Sequence, residues 1–229
     1  MVSALVVAAG HGMRMQSDTR KQYLQVAGLP VLVHTLMKFD VCPQIDSICM
    51  VVPADDFDFC RRRLLAGRQF KNPIQFVAGG RHRQQSVYNG LKSLDHKKGL
   101  VAIHDGVRPL IDPLLITACI KAAETSGACA PGIPVYDTIK RVSGEATIEG
   151  TVERKGLWLI QTPQVFRYAV IAEAHERAVR DGYVGTDDAS LVERLGFTVT
   201  LISGSKSNIK VTTAEDLEMA AALLRAAGE

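Results

Sequence analysis

The residues best suited to binding phosphate follow the first apolar run of the chain. Residues 3–9 are mostly small or β-branched, which is typical of a buried parallel strand. Gly10 and Gly12 come next, and glycine allows a sharp bend and a close approach of a ligand to the backbone. The cations Arg14 and Lys21 lie just beyond this bend. Backbone N–H groups backed by two cations predict a polyphosphate site at the carboxyl edge of a sheet.

This glycine bend differs from two common nucleotide-binding motifs. A dinucleotide fingerprint would have glycine at the position of Met15, and an acidic residue after a second strand to bind a ribose. A P-loop would end in Gly-Lys-Ser or Gly-Lys-Thr, and this segment does not. Taken alone, the segment is also consistent with a tight turn that carries surface cations.

Two more charged segments lie near predicted strand ends. Asp105 and Arg108 follow the apolar strand at residues 100–104, where an acid could bind a sugar hydroxyl or a Mg²⁺ ion carried by phosphates. Lys210 lies between two apolar residues, so it must point away from the core and could reach a phosphate. The alternatives are an incidental salt bridge in a turn and an ordinary edge-strand lysine.

Two polar segments could complete a site of this kind. Gly80 and Ser86 belong to a second glycine bend that opens a helix, and they could bind the polar edges of a base. Arg154 lies in an irregular segment further along the chain, and arginine can bind a phosphate bidentately. The alternatives are a plain helix N-terminus and a solvated hairpin.

Composition disfavours several classes of function. The formal net charge of +3 is too small and too evenly spread for a nucleic-acid-binding protein, and the three arginines at 61–63 fit a solvated helix face. No apolar stretch approaches the roughly 18–20 residues of a membrane span, and no signal peptide is visible. The five cysteines form no CxxC motif and no zinc-ligand spacing, which predicts reduced, mostly buried thiols. We therefore expect a cytoplasmic protein without a nucleic-acid or membrane partner.

Strand-like and helical patterns alternate along most of the chain, which predicts one α/β domain over residues 1–229. Repeated β-α units form a mostly parallel, doubly wound sheet with helices on both faces. Two helices have recognisable starts, at Asp112-Pro113 and at the capping-box spacing of Thr213 and Asp216. The predicted strands are 3–9, 47–53, 74–77, 100–104, 127–134 and 197–203, and the predicted helices are 30–39, 56–66, 84–94, 113–125, 169–180, 189–195 and 214–227.

One segment, at about residues 136–163, interrupts this alternation. Residues 138–142 and 156–160 are predicted strands, and a polar stretch with turn residues separates them. Two extended strands are marginal in water on their own, so the segment is predicted to project as a β-arm and to pack on a second subunit. We therefore expect a homodimer.

Taken together and in order, these segments resemble the 2-C-methyl-D-erythritol 4-phosphate cytidylyltransferase family, whose members use CTP in the non-mevalonate isoprenoid pathway. The resemblance covers nearly the whole chain. One departure is Arg20, at a position where the family usually has proline, and whether it adds a phosphate contact is a question for the structure. The matching motifs are Ala8-Ala9-Gly10-x-Gly12-x-Arg14-Met15, Lys21-Gln22-Tyr23, Gly79-Gly80-x-x-Arg83-x-x-Ser86-Val87, His104-Asp105-Gly106-Val107-Arg108-Pro109, Asp137-Thr138-x-Lys140, Thr151-Val152-x-Arg154-x-Gly156-Leu157-Trp158, Thr162-Pro163-Gln164, Thr186-Asp187-Asp188-Ala189-Ser190 and Asn208-Ile209-Lys210-Val211-Thr212.

The resemblance implies a Rossmann-like fold of the nucleotide-diphospho-sugar transferase type and a reaction of CTP with a polyol phosphate. It implies that Arg14 and Lys21 bind the triphosphate and the transition-state charge. Lys210 and Arg154 would hold the attacking phosphate, with Arg154 supplied by the partner subunit of a homodimer. Mg²⁺ would be bound with the CTP phosphates, without a dedicated protein metal site. The implied nucleotide-binding residues are Ala8, Ala9, Gly10, Gly12, Gly80, Ser86 and Asp105, and the implied polyol-binding residues are Asp105, Arg108, Thr138, Arg154, Thr162 and Lys210.

Three alternatives differ in substrate or in class. A sister enzyme acting on another polyol phosphate, such as ribitol 5-phosphate, would share the phosphate-binding cations and differ around Arg108, Thr138 and Thr162. A non-catalytic nucleotide-binding protein would keep the glycine bend but could lose those cations, all of which are present. A NAD-linked oxidoreductase is disfavoured by the missing third glycine and ribose-binding acid.

Overall fold

The computed structural model describes residues 1–10, 19–95 and 97–228. Helices pack on both faces of a central sheet, as the alternation of patterns predicts. The strands are β1 (Val2–Val7), β2 (Gln25–Val26), β3 (Leu29–Pro30), β4 (Ser47–Val52), β5 (Ile74–Ala78), β6 (Leu100–Asp105), β7 (Ala128–Pro134), β8 (Ile139–Val142), β9 (Ile148–Val152), β10 (Trp158–Ile160), β11 (Gln164–Arg167) and β12 (Thr200–Ser203). The helices are α1 (Val31–Asp40), α2 (Phe57–Phe59), α3 (Arg83–Ser93), α4 (Pro113–Ser126), α5 (Tyr168–Arg180), α6 (Asp188–Arg194) and α7 (Ala214–Ala226), with 3₁₀ turns at Lys21–Tyr23 and Ala54–Asp56.

The central sheet is mostly parallel, which confirms the predicted fold class. Neighbouring strands pair in the order β12-β7-β11-β6-β1-β4-β5, and β10 also pairs with β7. Strand β1 lies between β4 and β6 and runs parallel to both, while β10 and β11 are antiparallel to their neighbours. The carboxyl ends of β1, β4, β5 and β6 therefore meet at one edge, which is where ligands bind in open α/β sheets.

The sheet is buried on both faces because successive residues of its central strand enter different cores. Ala4 and Val6 belong to a core that includes side chains of α1 and α4. Leu5 belongs to a second core, formed with side chains of α3, α5 and α6. Continuous apolar strands are the sequence signature of this arrangement, and all three residues are fully buried.

A third, smaller apolar cluster packs α7 beside the sheet. Val211 packs with Ala220 and Leu224 of α7, and also with Val26 and Val31 from the segment that follows Lys21–Tyr23. The backbone N–H of Val211 donates to the carbonyl of Val107 at 2.8 Å. This cluster fixes the residue after Lys210 against the strand end that carries Asp105.

The two predicted helix starts are confirmed. The side chain of Asp112 accepts a hydrogen bond from the N–H of Leu114 at 2.8 Å, with proline at the first position of α4. Thr213 and Asp216 form a reciprocal capping box at the start of α7. Within the described residues, none of the helices is long and apolar enough to cross a membrane. All five cysteines are free and buried, as predicted.

The helix predicted at 56–66 differs in form. The structure has the single turn α2 followed by a π-helical turn at Cys60–Leu64. This wider turn buries Cys60 and Leu64 and leaves the three arginines between them exposed, in agreement with the predicted solvated face. Burial of the two apolar ends decides the local geometry here.

The β-arm also differs from the prediction. Strand β8 pairs antiparallel with β9, which lies inside the stretch predicted to be polar loop. Strand β10, predicted as the second strand of the arm, pairs instead with β7 of the central sheet. The register continues from Ile160 opposite Gly132 to Val165 opposite Cys129, so β10 and β11 occupy the same edge of β7. The short break between them projects Thr162 toward the carboxyl end of β6.

Candidate active site

A cavity of about 400 Å³ lies at the carboxyl edge of the sheet. It brings together eight of the residues predicted for the site, from segments far apart in the sequence. They are Ala8, Ala9, Gly10, Lys21, Gly80, Ser86, Asp105 and Lys210. Gly12 and Arg14, with the rest of residues 11–18, lie outside the described residues.

The first bend is fixed by a glutamine that the sequence did not identify as functional. Gln22 is buried, and its Nε2 donates to the carbonyl of Ala8 at 2.7 Å and to that of Gly10 at 3.2 Å. These bonds hold the start of the bend against the 3₁₀ turn that contains Lys21. The only sequence signal for this role is a polar residue beside the predicted phosphate-binding lysine.

The second bend touches the first. A Cβ at Gly79 would overlap the Cβ of Ala9, so only glycine lets the two bends meet. The N–H of Gly80 donates to Ser86 Oγ at 3.0 Å, and that hydroxyl donates to the carbonyl of His82 at 3.1 Å. The N–H of Gly80 and the hydroxyl of Ser86 thus bind each other and shape the wall of the cavity, and base recognition by either remains a prediction.

A buried carboxylate lies at the centre of a cluster of cations. Asp105 Oδ1 is 2.9 Å from Arg83 Nε, and its Oδ2 is 2.8 Å from Lys210 Nζ. Arg108 Nε lies further away, at 3.8 Å from Oδ2. Burial on its own would raise the pKa of Asp105, but Arg83 and Lys210 together hold this pKa well below its usual range. Asp105 is therefore ionised and its charge is compensated.

Arg83 connects this carboxylate to a second one. Its Nη1 donates to Asp188 Oδ2 at 2.7 Å, and Asp188 Oδ1 accepts from His175 Nε2 at 3.1 Å. Asp188 and His175 are both buried. Burial would raise the pKa of Asp188, but Arg83 and the histidine lower it overall. The motifs contained Arg83 and Asp188 but not His175, and sequence reasoning gave none of the three a role.

Thr162 forms hydrogen bonds with both Asp105 and His104. Its Oγ1 accepts from the N–H of Asp105 at 3.2 Å and lies 3.0 Å from Nδ1 of His104, whose Nε2 is 3.2 Å from the carbonyl of Arg108. Burial lowers the pKa of His104 to about 3, so its ring is neutral. Since the carbonyl can only accept, Nε2 carries the proton and Nδ1 accepts from Thr162. Thr162 is buried and its hydroxyl is engaged on both sides.

Arg108 lies behind the cavity wall. Its Nη1 donates to the carbonyl of Asn208 at 2.7 Å, which fixes it to the segment that carries Lys210. Arg108 and Thr162 are not among the residues that line the cavity. Both residues bind segments that do line it, and their predicted contacts with the polyol remain predictions.

Thr138 and Arg154 lie on the exposed β-arm, away from the cavity of their own chain. Neither lines that cavity, and the Arg154 guanidinium donates to the carbonyl of Tyr136. Their side chains are open to solvent. A role at an active site therefore requires the arm to reach a second copy of the chain.

The described residues contain no group of three or more histidine, cysteine, aspartate or glutamate side chains that could hold a metal ion. Asp105 is the one carboxylate among the described residues that line the cavity. This donor set fits an ion bound mainly by phosphate oxygens, because Mg²⁺ usually keeps several waters and takes one or two protein carboxylates.

The parallel sheet, the paired glycine bends and the cation cluster at its carboxyl edge define an α/β nucleotidyltransferase. Residues 2–226 match the 2-C-methyl-D-erythritol 4-phosphate cytidylyltransferase family, and the chain belongs to that family. The enzyme of that name from Syntrophus aciditrophicus is 48% identical over 224 residues, covering 98% of this chain and 96% of the relative. The one from Syntrophotalea carbinolica is 46% identical, covering 100% of this chain and 98% of the relative.

Solved structures agree with this assignment. The crystal structure of 4-diphosphocytidyl-2C-methyl-D-erythritol synthase from Anaerococcus prevotii superimposes with a TM-score of 0.85 at 34% identity, covering 98% of this chain and 96% of that one. The 2-C-methyl-D-erythritol 4-phosphate cytidylyltransferase from Thermus thermophilus gives a TM-score of 0.79 at 34% identity, covering 97% of this chain and 98% of that one. The resemblance seen in the motifs is confirmed at the level of family and fold.

Proposed function

We propose that this protein transfers the CMP group of CTP to 2-C-methyl-D-erythritol 4-phosphate, in the synthesis of isoprenoid precursors. The products are 4-diphosphocytidyl-2-C-methyl-D-erythritol and pyrophosphate. Family membership supports the substrates. The structural observation that carries the proposal is the cavity at the carboxyl edge of the sheet, where two glycine bends meet Lys21, Lys210 and the compensated carboxylate of Asp105.

The reaction needs little covalent help from the protein. A phosphate monoester has a second pKa near 6, so the attacking group is largely dianionic at neutral pH and requires no general base. One of its oxygens forms a bond to the α-phosphorus of CTP while the bond from that phosphorus to pyrophosphate breaks. The main barrier is repulsion between two anions, which cations and in-line positioning reduce.

The cations divide into two sets in this proposal. Lys21 and Arg14 bind the triphosphate and the charge that develops on the leaving pyrophosphate. Lys210 binds the attacking phosphate from the opposite segment of the cavity. Asp105, held ionised by Arg83, accepts hydrogen bonds from hydroxyl groups of the ribose or the polyol without leaving a net negative charge in the phosphate site.

A divalent ion such as Mg²⁺ would be carried into the cavity by the triphosphate. It would supply positive charge that favours departure of pyrophosphate. Of the described residues that line the cavity, Asp105 is the one that could add a carboxylate ligand. We also place the protein in the cytoplasm, where free buried thiols such as its five cysteines stay reduced.

The β-arm completes the site by forming a homodimer. Strands β8 and β9 form a two-stranded hairpin with no further strand beside them among the described residues, and such a hairpin is marginal in water. Large apolar side chains on and next to it are exposed, among them Tyr136, Val142 and Ile148. Packing on a second copy would cover them and bring Thr138 and Arg154 to the partner's cavity, where Arg154 binds the attacking phosphate.

The deciding experiment measures pyrophosphate release with CTP and Mg²⁺, offering methylerythritol phosphate and ribitol 5-phosphate in parallel. Release with methylerythritol phosphate alone is the expected result. Release with ribitol phosphate alone would keep the mechanism and change the substrate. No release with either compound, despite CTP binding, would leave a nucleotide-binding protein and refute the catalytic proposal.

A further inference from the structure

The residue before Lys21 makes an ion pair outside the cavity. Arg20 Nε lies 3.0 Å from Asp56 Oδ2, and the two side chains are 27% and 17% exposed. Arg20 does not line the cavity. In the free protein its guanidinium therefore pairs with a protein carboxylate outside the cavity.

The same carboxylate binds the residue at the other end of the Lys21–Tyr23 turn. The hydroxyl of Tyr23 donates to Asp56 Oδ2 at 2.8 Å, and Cys60 Sγ lies 3.6 Å from that hydroxyl. The Tyr23 ring packs on Phe59 with 5.0 Å between centroids. Burial, with Cys60 and Asp56 nearby, raises the pKa of Tyr23, so its hydroxyl stays protonated and remains a donor.

Asp56 thus binds, through one carboxylate oxygen, the two residues that flank Lys21 and Gln22. It lies in the 3₁₀ turn that follows β4, a strand that pairs with β1 from Ser3 to Val7. Inside the turn, Gln22 binds the carbonyls of Ala8 and Gly10. The turn itself has no side-chain N-cap, so these outside contacts fix its position. Lys21 and Gln22 lie between Arg20 and Tyr23, and both line the cavity.

We propose that Asp56, acting through Arg20 and Tyr23, is a positioning residue for Lys21 and hence for the triphosphate. This rests on the role of Lys21 given above. An ion pair that is partly exposed to solvent contributes little to global stability. A small misplacement of a charged group, in contrast, strongly affects transition-state stabilisation.

The test compares Asp56→Asn, Arg20→Gln and the double variant with Asp55→Asn as the matched control. Asparagine at 56 keeps an acceptor for Tyr23 and removes the charge, and Asp55 is an exposed acid in the same turn. We expect kcat/KM for CTP to fall about 10- to 100-fold in each single variant. The KM for the polyol phosphate and the Tm should stay near parental values, and Asp55→Asn should behave as the parent.

The double variant shows whether Arg20 and Asp56 act as a pair or independently of each other. If Arg20 and Asp56 act together, combining the substitutions should cost no more than either alone. Parental kcat/KM for CTP in both single variants, or a loss that follows a lower Tm and affects both substrates equally, would overturn the proposal. Multiplicative losses in the double variant would do the same.

Lys21→Ala distinguishes this inference from the function on which it rests. A large loss of turnover in Lys21→Ala, together with parental kinetics in Asp56→Asn, refutes the positioning role and leaves the function standing. Near-normal turnover in Lys21→Ala refutes the assigned role of Lys21 and the inference with it. Hydrogen exchange over residues 19–24 gives an independent reading, since Asp56→Asn should accelerate it and Asp55→Asn should not.

Discussion

Lys210 Nζ lies 2.8 Å from Oδ2 of Asp105, so the amine assigned to the attacking phosphate is already bound to a carboxylate in the free protein. The ion pair holds the Lys210 ammonium group at the cavity wall and neutralises its charge. Arg83 binds the other oxygen of Asp105, so Lys210 can contact a phosphate while the carboxylate keeps a partner. In the proposed reaction, the incoming phosphate would meet a lysine whose position is set in advance, which reduces the ordering required on binding.

Replacing Lys210 should therefore affect the reaction more than the fold. In Lys210→Ala, we expect kcat/KM for the polyol phosphate to fall about 10²- to 10³-fold, the usual loss for one electrostatic stabiliser. The KM for CTP should change little. Lys98→Ala removes the same charge from an exposed position next to the amino end of β6 and should be neutral. Equal losses in the two variants would contradict a specific role for Lys210.

Stability should fall as the pH is lowered, because His104 is buried in its neutral form. Its pKa is about 3 in the folded protein and 6.5 for the free side chain, so the unfolded chain binds more protons between these values. The contribution of His104 is complete above about pH 6.5 and is lost as the pH falls toward 3. Asp105 and Asp188, whose pKa values are lowered, add losses in the same direction below about pH 4.

The measurement is the free energy of unfolding in denaturant at several pH values. His104 alone should contribute up to about 1.4 kcal/mol per pH unit between its two pKa values. His104→Gln cannot titrate and should show a shallower dependence over pH 6 to about 4, whatever its absolute stability. An unchanged slope in that variant would show that other groups cause the pH dependence.

The contact between the two glycine bends predicts a steric effect on CTP binding. In Gly79→Ala, the new methyl group overlaps Ala9, so the bends must separate. We expect weaker CTP affinity by calorimetry and a loss of roughly 1–3 kcal/mol in stability. Gly144→Ala in the arm is the control, since no described atom lies within 4 Å of its Cβ position. Parental CTP affinity in Gly79→Ala would show that the bends can move apart freely.

A shared active site predicts complementation between inactive subunits. Arg154→Ala and Lys21→Ala should each be inactive alone. If Arg154 acts in the partner's cavity, mixed dimers regain one site with both residues. Random reassembly should then restore about one quarter of parental activity, since half of the dimers are mixed and each has one intact site. No recovery after confirmed subunit exchange would assign Arg154 to its own chain or to no site.

The buried carboxylate of Asp188 should be required for stability. Asp188→Asn removes the partner of both Arg83 and His175, and breaking a buried pair typically costs about 3–5 kcal/mol. Asp181→Asn, which removes a surface acid paired with Arg177 and Arg194, should cost much less. Denaturant unfolding of both variants measures the difference. Equal stability losses would mean that the buried Asp188 network stabilises the fold no more than the surface ion pairs of Asp181.

Local signals in the sequence predicted most elements of this fold. The N-cap at Asp112 and the capping box at Thr213 were correct because each involves side chains bonded within a few residues. The apolar run of β1 correctly predicted a strand buried on both faces. Strand β9 was missed because Gly150 and Thr151 make its pattern polar, and pairing with β8 alone holds it as a strand.

Long-range contacts could not be predicted in the same way. The bond from Arg83 to Asp188 joins residues 105 positions apart, and nothing local to either one indicates the other. The motif around Thr162 predicted a substrate contact, but it gave no sign of the bonds to His104 and Asp105 that the register of β10 and β11 on β7 produces. Residue types in the sequence identified the candidate site residues, whereas their bonding partners could be identified only from the structure.

The strand that follows the arm also connects the arm to the cavity wall. Ile160 is the last residue of β10, which ties the base of the arm to β7, and Thr162 binds the N–H of Asp105 two positions later. If the arm packs on a second copy of the chain, as proposed, this short stretch links the subunit contact to the carboxylate of Asp105. An isolated subunit and an assembled one should then differ in how tightly Asp105 and Lys210 are held, even before substrate binds.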